Sequence, residues 1–172
     1  MKKVLFLLSF CLLSLAPSSH IDNWRWQQLV DYTMVIDVNV ENHTYKGTQN
    51  LVFTNNSQDD LYRVFYHLYF NAFKPGTDLE QNSRYSSDDS RSMSKKLLSL
   101  PKEDWGDVQI NWLLQDGKPV SYKIEETILE VVLNKPIKSG ESSVLEMEFF
   151  TQTPAMVRRS GKNSEDNVAF SM

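Results

Sequence analysis

Between Val30 and Glu41, apolar and polar residues alternate. Val30, Tyr32, Met34, Ile36, Val38 and Val40 fall on one parity, and on the other only Val35 is apolar, among Asp31, Thr33, Asp37, Asn39 and Glu41. Successive side chains of an extended chain point to opposite faces, so this pattern predicts a half-buried β-strand. Asn42-His43 then makes a turn. In Tyr45 to Thr54, the residues Tyr45, Gly47, Leu51 and Phe53 share one face, and Asn55-Asn56-Ser57 stops the strand. The two strands read as a hairpin.

Leu61 to Tyr69 reads as a third strand. Val64, Phe65, Tyr66, Leu68, Tyr69, Phe70 and Phe73 put aromatics on both faces, which fits a strand sandwiched between layers. A helix is the alternative, because a short apolar run does not separate the two by period alone. Pro75-Gly76 opens a polar stretch reaching Ser92, with too few apolar residues to be buried, and Ser83 to Ser92 reads as a mobile loop. Lys95 to Leu100 forms a helical turn before Pro101. Val108 to Gln115 leads into Asp116-Gly117, a strong hairpin signal. Val120 to Ile124, Thr127 to Leu133 and Ser143 to Thr151 complete the strands, separated by Asn134-Lys135-Pro136 and Lys138-Ser139-Gly140, and Val168-Ala169-Phe170 starts another. Short strands with turns between them and no strong amphipathic helix predict an all-β fold, an antiparallel sandwich or curved open sheet.

The amino end has a separate logic. Met1-Lys2-Lys3, the apolar run Val4 to Leu15 and the small residues Ala16-Pro17-Ser18 have the order of a secretory signal. At about 1.5 Å per residue the run reaches roughly 20 Å, short of a hydrocarbon core of about 30 Å, so no permanent membrane anchor is expected. Residues 1–18 are read as the signal and 19–172 as the mature domain, exported to a periplasm or secreted. Cys11, the only cysteine, would leave with the signal, which closes off a thiol nucleophile, a disulfide framework and Cys-ligated zinc in the mature chain.

A formal net charge of −4, with no run of lysine and arginine interleaved with aromatics, argues against a nucleic-acid partner. His20, His43 and His67 are far apart in sequence, and none has the i, i+4 spacing that puts two imidazoles on one helical face, so each reads as structural or solvated. A serine triad lacks its Gly-x-Ser-x-Gly elbow. Glu125-Glu126 and Asp88-Asp89 read as surface charge, and Asn42-His43-Thr44 and Asn55-Asn56-Ser57 match a glycosylation sequon by form only. Trp24 and Trp26 share a face if extended, which fits a sugar-stacking platform less well than a terminal segment tucked against the sheet.

Trp26-Gln27-Gln28-Leu29-Val30-Asp31-Tyr32, Tyr45-Lys46-Gly47-Thr48 and Tyr66-His67-Leu68-Tyr69-Phe70-Asn71-Ala72-Phe73, taken in series, resemble the start of the aminopeptidase N-like zinc metallopeptidases (gluzincins). The His-Leu-Tyr-x-Asn-Ala-Phe core is the most specific part. Gln115-Asp116-Gly117-Lys118, Ile128-Leu129-Glu130-Val131, Pro136-Ile137-Lys138-Ser139-Gly140 and Arg158-Arg159-Ser160-Gly161 are similar to later parts of the same domain in exported bacterial members. The resemblance covers roughly Trp24 to Met172.

It implies a saddle-shaped β domain that packs on a thermolysin-like catalytic domain and helps close the cleft in which amino-terminal residues are removed from peptides. The family's Gly-x-Met-Glu-Asn segment and zinc-binding His-Glu-x-x-His helix do not occur in this sequence, so no catalytic, substrate-binding or metal residue is carried over, and the chain is expected to be inactive by itself. Zinc and peptide substrate belong to the full-length members, and the implied partner is a catalytic domain in cis. The domain is expected to be incomplete at its carboxyl end. Phe149, Phe150, Met156, Phe170 and Met172 are the apolar residues expected to lack cover there. The alternative reading is a free-standing secreted β-sandwich that binds peptide or glycan through an edge or its Trp24/Trp26 end.

Overall fold

The computed structural model describes residues 26–85, 93–155, 160–162 and 168–170. The fold is mostly β. A five-stranded antiparallel sheet contains β1 (Leu29–Asn39), β2 (Thr44–Thr54), β8 (Ser142–Gln152), β4 (Asp107–Gln115) and β5 (Lys118–Pro119), in that order. A three-stranded antiparallel sheet has the order β3 (Leu61–His67), β7 (Ile128–Ile137), β6 (Ser121–Glu125). A separate pair joins β9 (Ser160–Lys162) to β10 (Val168–Phe170). Between β3 and β4 lie a 3-10 turn (Tyr69–Ala72), α1 (Asp78–Ser83), α2 (Met93–Ser99) and a second 3-10 turn (Lys102–Asp104).

The core forms where the two sheets face each other. Leu51 of β2, Leu145, Met147 and Phe149 of β8, Leu113 of β4, and Leu129, Val131 and Leu133 of β7 are buried in one cluster, with alternate residues pointing away. Each side chain so buried contributes roughly 1.5–3 kcal/mol. Gly47 is required by this packing. A Cβ there would lie 2.8 Å from the Val35 carbonyl oxygen and 2.9 Å from Phe149 Cζ. Asp116 and Gly117, at φ +48° and +75°, form the two-residue loop between Gln115 and Lys118 that the Asp-Gly pair predicts.

The β1–β2 hairpin pairs from Leu29↔Thr54 to Asn39↔Thr44, as the alternation predicts. Its burial does not follow. Every residue of β1 is exposed, because β1 is the edge of the larger sheet and the smaller sheet does not reach over it. The strand expected over Leu61 to Tyr69 ends at His67, and it is an edge strand rather than one sandwiched between layers. Tyr62 and Phe65 are 64% and 63% exposed on it.

Thr127 to Leu133 extends to Ile137 through the expected break at Pro136. The β6 partner stops opposite Val132, so no ladder hydrogen bond on that side is lost to the proline. Part of the expected loop after Pro75-Gly76 is helical. Thr77 caps α1 by accepting from the Glu80 N–H at 3.4 Å, and Glu80 is fully buried. Residues 86–92, the centre of the expected mobile loop, lie outside the described residues, as do the signal segment, Trp24, His20, Asp88 and Asp89.

Candidate functional site

The segment Leu68 to Phe73 works as a joint between the sheets. Asn71, 3% exposed, donates from Nδ2 to the Glu126 carbonyl at 3.0 Å and accepts from the Val108 N–H at 2.7 Å. It thereby ties the β6–β7 turn to the start of β4. Phe70 and Phe73 form a second buried cluster with Leu97 of α2, while Leu68 belongs to the main core. A Cβ on Gly106 would collide with the Phe70 carbonyl, and the Gly106 N–H donates to the Phe73 carbonyl at 2.9 Å. The most specific stretch of the family resemblance is therefore architectural.

The helices rest on a buried carboxylate. Glu80 accepts from Arg84 Nε and Nη2 at 2.7 and 2.8 Å, from Ser94 Oγ, and from the Gly76 N–H at 3.2 Å. The Arg84 bonds foremost, then Ser94, outweigh desolvation and hold its pKa down at about 2. The four contacts satisfy the group and fasten α1 to α2.

The feature that invites a partner is the inner row of β1. Val30, Tyr32, Met34, Ile36 and Val38 lie opposite Phe53, Leu51, Gln49, Gly47 and Tyr45, on the face that forms the core farther into the sheet. They remain 40–48% exposed. Solvated single apolar residues are ordinary, but a contiguous row on a core-facing surface marks a face shaped for covering.

Beside this row a hollow of about 190 Å³ opens between the sheets, lined by Tyr45, Gln49, Tyr66, Phe70, Met147 and Phe149 among others. Gln49 Nε2 and Tyr66 Oη are buried there, facing one another without a hydrogen bond of normal geometry. Burial, then the neighbouring Tyr32, pushes the Tyr66 phenol well above its usual range against the opposing pull of Gln49. Tyr45 is raised less, by burial, and its hydroxyl is partnered by Thr151. Sequence reasoning missed Gln49, although it sits on the apolar parity of β2 between Gly47 and Leu51.

The residues weighed in the sequence find ordinary places. His43 lies in the β1–β2 turn at φ +54°, and the His67 ring lies 3.8 Å from that of Tyr69. Glu125 pairs with Lys123 at 2.6 Å, and Glu126 Oε1 accepts from the Asp78 N–H at 3.2 Å. Asn55 of the second sequon is fully buried, with its amide donating to the Asp59 and Ile137 carbonyls, so the folded chain does not offer it for glycosylation. Trp26 is 48% exposed. Phe149 is in the core and Phe150 is half-buried on the outer face, whereas Met156, Met172 and the Phe170 side chain lie outside the described residues. Among the described residues, no group of three or more His, Cys, Asp and Glu lies together to hold a metal, and no helix is long and apolar enough to cross a membrane.

No protein-family model matches the chain, and no curated protein matches it. Among solved structures it is similar to an M1 zinc metallopeptidase from Deinococcus radiodurans, at 13% identity and a TM-score of 0.47, covering 78% of this chain and 24% of that one. It is also similar to a two-domain M1 zinc metallopeptidase mutant bound to L-tryptophan, at 12% identity and a TM-score of 0.46, covering 76% of this chain and 22% of that one. The chain thus spans less than a quarter of the length of these structures.

Proposed function

We propose that this chain is the amino-terminal β domain of an exported zinc aminopeptidase of the aminopeptidase N-like type, a domain that packs on the catalytic domain and shapes its cleft, and that is inactive by itself. The observation that carries the reading is the open apolar row on β1, a core-facing row whose residues stay 40–48% exposed among the described residues. Covering side chains that are nearly half exposed is worth roughly 1 kcal/mol each, enough in sum to hold a domain interface. The resemblance agrees with this, since Phe70, Asn71 and Phe73 of its most specific stretch are the residues that join the two sheets here.

Zinc does not fit the described residues. Among the described residues, His43 and His67 belong to no cluster of ligating groups, and no zinc ligand is assigned to them. The coding sequence downstream of the Met172 codon tests the proposal. A continuation, in frame or across a single frameshift, carrying Gly-x-Met-Glu-Asn and His-Glu-x-x-His is the expected result. Absence of both from every downstream frame overturns the proposal in favour of a free-standing sandwich that binds peptide or glycan.

A further inference from the structure

We propose that the free edge of β1 pairs with the same edge of a second copy of this chain, antiparallel about a two-fold axis through Val35, so that the two larger sheets become one continuous sheet.

An edge strand presents unpaired backbone N–H and C=O groups, and soluble proteins blunt such edges with shortness, proline, lysine or a bulge. The other edges here are blunted. β5, at the far side of the larger sheet, is two residues long and consists of Lys118 and Pro119, and the rest of that edge is β4, whose register shifts between Ile110 and Trp112. β6 is five residues long and carries Lys123. β3 carries a register irregularity between Leu61 and Arg63. β1 has none of these devices. It runs 11 residues without proline, glycine, lysine or arginine, and its pairing with β2 is regular throughout. Among the described residues nothing pairs with its outer side.

The side chains choose the register. When a strand pairs with its own copy about an axis normal to the sheet, opposing residues share a face only if the axis passes through a residue position. An axis at Met34 sets Asp31 against Asp37, and one at Ile36 sets Asp31 against Glu41; both oppose like charges, which destabilises the pairing. An axis at Thr33 sets Asp31 against Val35 and Asp37 against Leu29.

The axis at Val35 avoids all of this. It sets Asp31 against Asn39 and Asp37 against Thr33 on the outer face, and Tyr32 against Val38 and Met34 against Ile36 on the inner face. Asn39 Oδ1 already accepts from the Asn42 N–H at 2.9 Å, so its amide offers N–H donors to the opposing Asp31. Val35 meets itself on the axis. At 71% exposure it is the most exposed of the large apolar residues of β1, and the apolar residue in the middle of the polar parity that runs from Asp31 to Asn39. The apolar inner row of each copy then runs on into that of the other. A closed isologous contact of this kind stops at two copies, since it uses up the edge.

The test uses the whole chain in a Cys11→Ser background, with mass measured by light scattering after size exclusion. The expected result is a dimer that Val35→Lys weakens at least tenfold, with the circular dichroism and melting of the monomer unchanged. Single cysteines at 33, 34, 35 and 36 then read the register under mild oxidation. Val35→Cys should cross-link to itself, because directly opposed residues fall within disulfide reach, and Thr33→Cys, Met34→Cys and Ile36→Cys should not. A chain that is monomeric at all accessible concentrations overturns the proposal and leaves the edge for a strand of another protein. A dimer that survives Val35→Lys, or that cross-links through Met34→Cys in preference, also overturns it.

Discussion

Two tyrosines line the same hollow with opposite hydrogen-bond fates, and removing each hydroxyl in turn tests whether the hollow is built for the isolated chain. The Tyr66 hydroxyl is buried facing Gln49 without a hydrogen bond of normal geometry, whereas that of Tyr45 is partnered by Thr151. A buried polar group left unpaired costs about 1–3 kcal/mol, while a satisfied bond contributes about 1 kcal/mol net. Tyr66→Phe should therefore stabilise the chain by about 1 kcal/mol, and Tyr45→Phe should destabilise it by about the same amount. For a domain of this size, 1 kcal/mol moves the melting temperature by about 2–4 °C, so the two variants should melt about 4–8 °C apart. Each loses one phenolic oxygen, so the change in side-chain transfer energy largely cancels between them.

The alkaline limb provides a second reading. Burial holds the Tyr66 phenol above its ordinary value of 10.0, so its contribution is present below pH 10.0 and is lost as pH rises through that value toward the folded pKa. Tyr66→Phe should flatten that loss. Calorimetric and urea melts from pH 7 to 11 on the three proteins make the measurement. If Tyr66→Phe melts below the parent by as much as Tyr45→Phe does, the hydroxyl has a full partner and the hollow is complete in the isolated chain.

Glu80→Gln should matter least in acid. The folded carboxyl lies at about 2 against an ordinary value of 4.5, so its stabilising effect is present above pH 4.5 and is lost as pH falls toward 2; the gap between variant and parent melts should close over that window. Asn71→Ala leaves the Glu126 carbonyl and the Val108 N–H without their partner and should cost about 3 kcal/mol in urea unfolding, where a loss under 1 kcal/mol would contradict its role as the joint. Gly47→Ala should cost about 1–3 kcal/mol and raise amide exchange in β1, because its Cβ would press on the Val35 carbonyl and the Phe149 ring. The purified chain should hold no stoichiometric zinc by metal analysis and cleave no aminoacyl anilide; one tightly bound zinc per chain would contradict the assignment.

Much of the fold is legible in local pattern. The parity of Leu129, Val131 and Leu133 and that of Leu145, Met147 and Phe149 announces strands with one buried face, and Asp116-Gly117 announces its own turn. What is not legible depends on distant neighbours. The alternation of β1 gives the strand and its inner face, yet whether that face is covered depends on how far β3, β7 and β6 extend. The helix α1 escapes notice because its buried anchor is Glu80, a charge that becomes a core residue only when Arg84, Ser94 and Gly76 converge on it. Gln49 is visible as a polar break in the apolar parity of β2, but its lack of a partner requires knowing that Tyr66 arrives opposite it from the other sheet.

If the inner row of β1 is a face to be covered by a further domain, Met34 reports on it directly. Met34 is 44% exposed, while Met147 lies in the core at 4%. Dilute peroxide followed by peptide mass spectrometry gives the rate of sulfoxide formation at each. In this chain Met34 should oxidise nearly as fast as a free methionine and Met147 far more slowly. In a protein that continues into the zinc-bearing domain, Met34 should slow at least tenfold while Met147 is unchanged. Equal Met34 rates in the two proteins would contradict the claim.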